Sequence, residues 1–153
     1  MTETERKQII ALVQREVVPA IGCTEPIAVA LCVAKATETL GAKPEKIEVL
    51  LSANILKNAM GVGIPGTGMI GLPIAVALGA LIGKSEYQLE VLKDSNPDAV
   101  NEGKRFIGEK RNQYIPERGY HGETLYRSLL RGSGKQGYRH YSRRSYHLYI
   151  YSP

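Results

Sequence analysis

"PAIGCTEPIAVA", residues 19 to 30, places a cysteine at the mouth of a helix. Thr24 is a good N-cap, Glu25 and Pro26 suit a first helical turn, and an apolar run follows at once. The pattern predicts a helix from Thr24 to about Leu40, stopped by Gly41. Its alanine content predicts close packing against neighbours. A thiol beside a helix N-terminus meets the positive end of the helix dipole, which lowers its pKa and favours the thiolate. There Cys23 serves as a base, a nucleophile or a metal ligand; the plainer alternative is a small buried hydrophobe. Cys32, mid-helix between Leu31 and Val33, reads as packing.

Upstream, "ETERKQIIALVQREVVPA" has Ile9, Leu12, Val13 and Val17 at helical spacing, and Pro19 ends that helix. Downstream, "EKIEVLLSA" alternates Ile47, Val49 and Leu51 against Glu48 and Leu50, a short strand. "NILKNAM" suggests a helical turn, and "GVGIPGTGMIG", residues 61–71, a glycine-rich loop. A buried helix is predicted from about Ile70 to Ile82, a second from Glu86 to about Lys93, and a third in "NPDAVNEGKRFIGEK", capped by Ser95 or Asn96. These elements define an α+β fold, mostly helical, whose one clear strand needs partners.

The 153 residues correspond to about one domain. Two cysteines nine residues apart on one helix form neither a secreted disulfide framework nor a bridge to each other. The charged start "MTETERKQII" has no signal-peptide core, so a cytoplasmic location is expected. The longest uncharged apolar run, residues 69–83, is shorter than the ~18 residues that a membrane span needs.

The net charge of +5 is unevenly placed. Residues 111–153 carry +6, with all three His and eight of the nine Tyr, and residues 1–110 carry −1. The chain therefore reads as two parts, 1–110 and 111–153. The tail's interleaved Arg and Tyr, as in "GYRHYSRRSYHLYIY", suit a basic nucleic-acid-binding or protein-interaction module. No RNA- or zinc-binding pattern accompanies them.

Gly61, Gly63 and Gly66 match G-x-G-x-x-G formally, but no strand directly precedes them and Pro65 interrupts the motif. "LIGKS" ends like a phosphate-binding loop, yet Leu78 stands where its first glycine belongs. What remains is Gly66-Thr67-Gly68. Its backbone N–H groups and hydroxyl suit a carboxylate, or else it is a tight turn.

"VPAIGCTEPIAVALCVAKA", "SANILKNAMGVGIPGTGMIGLPIAVALGAL" and "EVLKDSNPDAVNEGKRFI" together resemble the N-terminal part of the iron–sulfur L-cysteine desulfidases. These belong to the serine dehydratase alpha-chain-like, UPF0597-type family. The resemblance spans about residues 5–110. It implies a lyase that releases sulfide from L-cysteine, with pyruvate and ammonia as co-products, or acts on L-serine, using a 4Fe–4S cluster. It implies Cys23 as the base for the α-proton. Thr24, Glu25, Asn54, Lys57, Asn58, Gly66, Thr67 and Gly68 fall where substrate would bind. It also implies cluster cysteines in a C-terminal half that this chain lacks, so no metal site is expected here. The chain is then an inactive relative, working if at all as a homo-oligomer or with a complementing half.

The resemblance stops near Lys110. Back-translation of the tail, read one nucleotide on, permits "KLYIEVYCEA", a strand suited to pair with "KIEVLLSA". The tail is thus expected to be a frameshifted, poorly ordered segment, short of apolar residues and rich in charge. Limited proteolysis is expected to trim the chain near residue 110; a protease-resistant tail with dispersed amide signals is the contrary result.

Overall fold

The Thr2 hydroxyl accepts from the Glu5 N–H at 3.2 Å while the Thr2 N–H donates to the Glu5 carboxylate at 2.6 Å. This reciprocal capping box starts α1 (Glu3–Glu16). The predicted helix forms, yet none of its residues is buried. The computed structural model describes residues 1–17, 19–109, 112–116, 125–132 and 135–142; in the last three segments it describes the backbone and, of the side chains, Tyr114 alone.

α2 (Thr24–Leu40) has the predicted bounds and ends on Gly41 at φ 68°, the left-handed conformation that glycine adopts without strain. β1 (Lys46–Leu51) buries Ile47, Val49 and Leu51, the alternation expected of it. "NILKNAM" forms more than a turn: with Ala53 it makes α3 (Ala53–Met60), and the Ser52 hydroxyl caps it by accepting from the Ile55 N–H. The glycine-rich stretch is a hairpin rather than a loop, pairing β2 (Gly63–Ile64) with β3 (Met69–Ile70).

α4 (Leu72–Leu81) follows, with eight of its ten residues buried. No helix among the described residues is long and apolar enough to cross a membrane. The helix predicted from Glu86 is instead a 3-10 helix, Ser85–Glu90, broken where Gln88 takes φ 51° and ψ −124°. α5 (Pro97–Gly108) is capped by Asn96, whose side chain accepts from the Ala99 N–H at 3.0 Å.

α2 and α4 approach until backbone meets backbone. A Cβ on Gly79 would stand 2.6 Å from the Ala30 carbonyl oxygen, and one on Gly83 would stand 2.8 Å from the Ala34 Cβ. Glycine on α4 facing alanine on α2 is what lets the axes come so close. Two apolar clusters flank the seam. One joins Val29, Cys32 and Val33 of α2 to Ile47, Val49 and Leu51 of β1. The other joins Ile27 and Ala30 to Ile74, Leu78, Val91 and Leu92. Cys32, 5% exposed, packs as predicted.

β1 lies inside a four-stranded sheet of order β4-β1-β5-β6, built with β4 (Asn112–Pro116), β5 (Leu125–Gly132) and β6 (Lys135–Ser142). β4 runs parallel to β1, with Val49 opposite Tyr114; β5 runs antiparallel, with Val49 opposite Ser128. Tyr114 packs on the first cluster. From the tail, β4 and β5 pair with the two edges of β1, and β6 pairs with β5. The reason lies in β1, whose two edges are rows of N–H and C=O groups needing partners. The readings of the tail's Arg, His and other Tyr side chains lie outside the described residues. Helices packed on one sheet make this the α+β fold expected.

Gly79→Ala is expected to destabilise the chain by about 1–3 kcal/mol, because the added methyl overpacks the α2–α4 seam. An exposed helical glycine would gain from the same change. Gly108→Ala, with open space around it, is the comparison. Urea midpoints of the two variants check this, and an unchanged midpoint for Gly79→Ala would count against the close seam.

Candidate functional site

Cys23 itself is the N-cap of α2, in place of Thr24, and its side chain makes no capping bond. The thiol turns instead to its own helix's first turn and donates to the Glu25 carboxylate, Sγ to Oε2 2.9 Å. The Thr24 hydroxyl donates to the same oxygen at 3.3 Å. The Asn58 side chain, from α3, lies near the Glu25 carboxylate and adds a minor stabilisation of its ionised form. Two elements distant in sequence thus approach one carboxylate.

This geometry reverses the expected electrostatics of the thiol. The N–H groups of Thr24 and Glu25 do pull the Cys23 pKa down, as a helix mouth should. The hydrogen bond to the Glu25 carboxylate and partial burial outweigh them, so the Cys23 pKa lies above the ordinary thiol value. Correspondingly, the bond from Cys23 holds the Glu25 carboxyl below its usual range, with help from Thr24 and Asn58. The resting pair is a protonated thiol and an ionised carboxylate.

The chain reaches this site through Gly22, at φ 87°, which lies against the Pro65 ring of the β2–β3 turn. A Cβ on Gly22 would come within 2.9 Å of Pro65 Cδ. The Ile21 N–H donates to the Leu89 carbonyl at 3.2 Å, tying the same stretch to the 3-10 helix. The thiol loop and the glycine turn are therefore neighbours, a link absent from the sequence pattern.

Within the turn, Gly66 and Gly68 take φ 76° and 64°. Thr67 is 5% exposed; its hydroxyl donates to the Ile64 carbonyl at 2.7 Å and accepts from the Met69 N–H at 3.0 Å. Its own N–H also donates to Ile64. As placed, Thr67 builds the turn, and the ligand-facing role expected of its hydroxyl is already taken up. Nor does this turn open onto a helix: β3 intervenes, and Gly71 at φ 83° is the N-cap of α4. On α3, Asn54 and Lys57 are exposed and Asn58 half-buried, with Asn54 and Asn58 one turn apart on a single face.

Among the described residues no group of three or more His, Cys, Asp or Glu sits close enough to hold a metal. An iron–sulfur cluster does not fit the residues present. Cys32 is sealed in the core, roughly 13 Å along α2 from Cys23. A separate cavity of about 540 Å³, lined by Thr37, Glu38, Lys84, Asp94 and Asn96, lies at the far end of α2. Its charges are already matched: Lys84 bonds Asp94 at 2.7 Å, and Glu38 accepts from the Ser85 N–H and hydroxyl.

A helical α+β domain presenting a hydrogen-bonded cysteine–glutamate pair at a helix mouth is the class that the geometry defines. Over 111 residues the chain is 90% identical to a UPF0597 protein of Bacteroides fragilis, covering 72% of this chain and 26% of that protein. It is 82% identical to a UPF0597 protein of Bacteroides thetaiotaomicron over 111 residues, and 51% identical to one of Porphyromonas gingivalis over 119 residues, covering 72% and 78% of this chain and 26% and 28% of those proteins. Over that shared stretch the chain belongs to the UPF0597 family. It spans about a quarter of the length of the curated relatives it matches. No family model and no solved structure matches it.

Glu25→Gln removes the main interaction that raises the Cys23 pKa, so alkylation of Cys23 by iodoacetamide at pH 8 is expected to speed up about three- to tenfold. Cys32, buried, stays unlabelled in both proteins. Equal rates in the two proteins would show that the carboxylate does not hold the thiol proton.

Proposed function

We propose that residues 1–110 carry the proton-transfer part of an α-amino-acid β-lyase acting on L-cysteine or L-serine, with Cys23 as the group that takes the α-proton. The observation carrying this reading is the 2.9 Å bond from the Cys23 thiol to the Glu25 carboxylate at the mouth of α2. The implied 4Fe–4S chemistry finds no ligand set here, and no step is assigned to it.

At rest the thiol is protonated and cannot act as a base. An α-amino acid brings its own ammonium group. Seated against Glu25, the ammonium engages the carboxylate and weakens the interaction that keeps the proton on Sγ. The N–H groups of Thr24 and Glu25 then favour the thiolate. The thiol proton passes to solvent, and the thiolate takes the substrate α-proton. Asn58, near Glu25 on α3, favours the ionised carboxylate. Asn54 and Lys57 on the exposed face of that helix, with the backbone of Gly66 and Gly68, receive the substrate carboxylate. Thr67 contributes by shaping the turn that presents them. In this reading the base forms only once substrate is bound.

The 153-residue chain alone is expected to release no sulfide. A chimera tests the assignment: residues 1–110 replace the matching stretch of the Bacteroides fragilis relative, followed by that relative's remaining residues. Sulfide and pyruvate release from L-cysteine, and pyruvate release from L-serine, are measured under anaerobic conditions. Cys23→Ser in the chimera is expected to lower turnover at least 100-fold, since an alcohol is a far weaker base at neutral pH. Cys32→Ala should retain most activity. Full activity in Cys23→Ser would remove the base assignment, and sulfide release by the short chain would overturn its inactivity.

A further inference from the structure

α1 carries an apolar stripe that no described residue covers. Ile9, Ile10, Leu12 and Val13 are 45–52% exposed, and Val17, just beyond the helix, is 66% exposed. Ile9, Leu12 and Val13 stand at the i, i+3, i+4 spacing of a packing seam, with Val17 one turn on. A shallow groove of about 340 Å³ runs beside them, lined by Met1, Glu5, Gln8, Ile9 and Leu12. The helix itself is carefully made, with its capping box and the Glu3–Arg6 and Arg15–Glu16 ion pairs. A helix of 14 residues is marginal in water without a face to pack. Its seam is out of keeping with a helix meant to stand alone.

Two occupants compete on physical grounds. A second copy would have to dock through a helix roughly 21 Å long, which offers much less than the ~800 Å² per partner of a stable interface. A segment of the same polypeptide meets no such threshold, because its effective concentration replaces the entropy cost of association. The matched residues make up only 26% of the Bacteroides fragilis relative, so most of that chain lies outside them. We infer that the Ile9–Leu12–Val13–Val17 stripe is the docking surface for the part of the UPF0597 polypeptide beyond the matched residues. α1 then clamps that part close in sequence to the Cys23 mouth.

The test labels a cysteine on the stripe. Leu12→Cys is introduced into the 153-residue chain and into the chimera with the relative's remaining residues. Maleimide adducts are located by mass spectrometry in the tryptic peptide that holds position 12, apart from Cys23. Labelling in the short chain should run at the rate of a free peptide thiol. In a monomeric chimera it should be at least tenfold slower. Equal labelling in the two would overturn the proposal. So would protection in the short chain that grows with concentration and accompanies a doubled mass, since the stripe would then belong to a second copy. Val13→Asp gives an independent reading. It should lower the Tm of the chimera by several degrees and leave the short chain's melting unchanged; an unchanged chimera counts against docking.

Discussion

The close approach of α2 to α4 organises the molecule. Gly79 has no side chain at the point where it meets the Ala30 carbonyl, and the helices settle there at backbone contact. Everything of chemical interest hangs from α2. Its N-terminus holds Cys23 and Glu25, one flank covers β1, and its C-terminal turn borders the Glu38 cavity. A wider helix pair would loosen both apolar clusters at once, because α2 contributes to each.

The site shows how a local field loses to a specific partner. A helix N-terminus supplies partial charges through its first N–H groups, and these favour the Cys23 thiolate. A full carboxylate at hydrogen-bonding distance is the stronger influence, and it favours the thiol. The resting pair therefore keeps its proton on sulfur. Asn58, on another helix, adds a minor neutral contribution that favours the ionised Glu25.

Much of the fold was legible from spacing. The bounds of α2, the inward set of β1, a cap at Ser95 or Asn96 and the packing role of Cys32 follow from periodicity and capping chemistry, which are local. The less legible features are contacts between distant segments. The glycine turn is set against Gly22 by Pro65, more than forty residues along the chain. The break at Gln88 lies next to Leu89, whose carbonyl is held by Ile21. The partners of β1 are β4 and β5, far from it along the chain.

The sequence by itself determined that a thiol, a hydroxyl and a carboxylate would crowd the first turn of a helix, since Cys23, Thr24 and Glu25 are consecutive. It also determined that α1 would be amphipathic. Only the folded structure decided that the Cys23 thiol turns to Glu25 instead of capping its helix, that Asn58 of α3 lies near Glu25, that Pro65 sets the glycine turn against Gly22, and that the α1 stripe stays uncovered by the described residues. The physical reason is range. Periodicity and capping act over a few residues of one chain segment, whereas packing and an interface depend on which atoms from elsewhere come within a few ångströms.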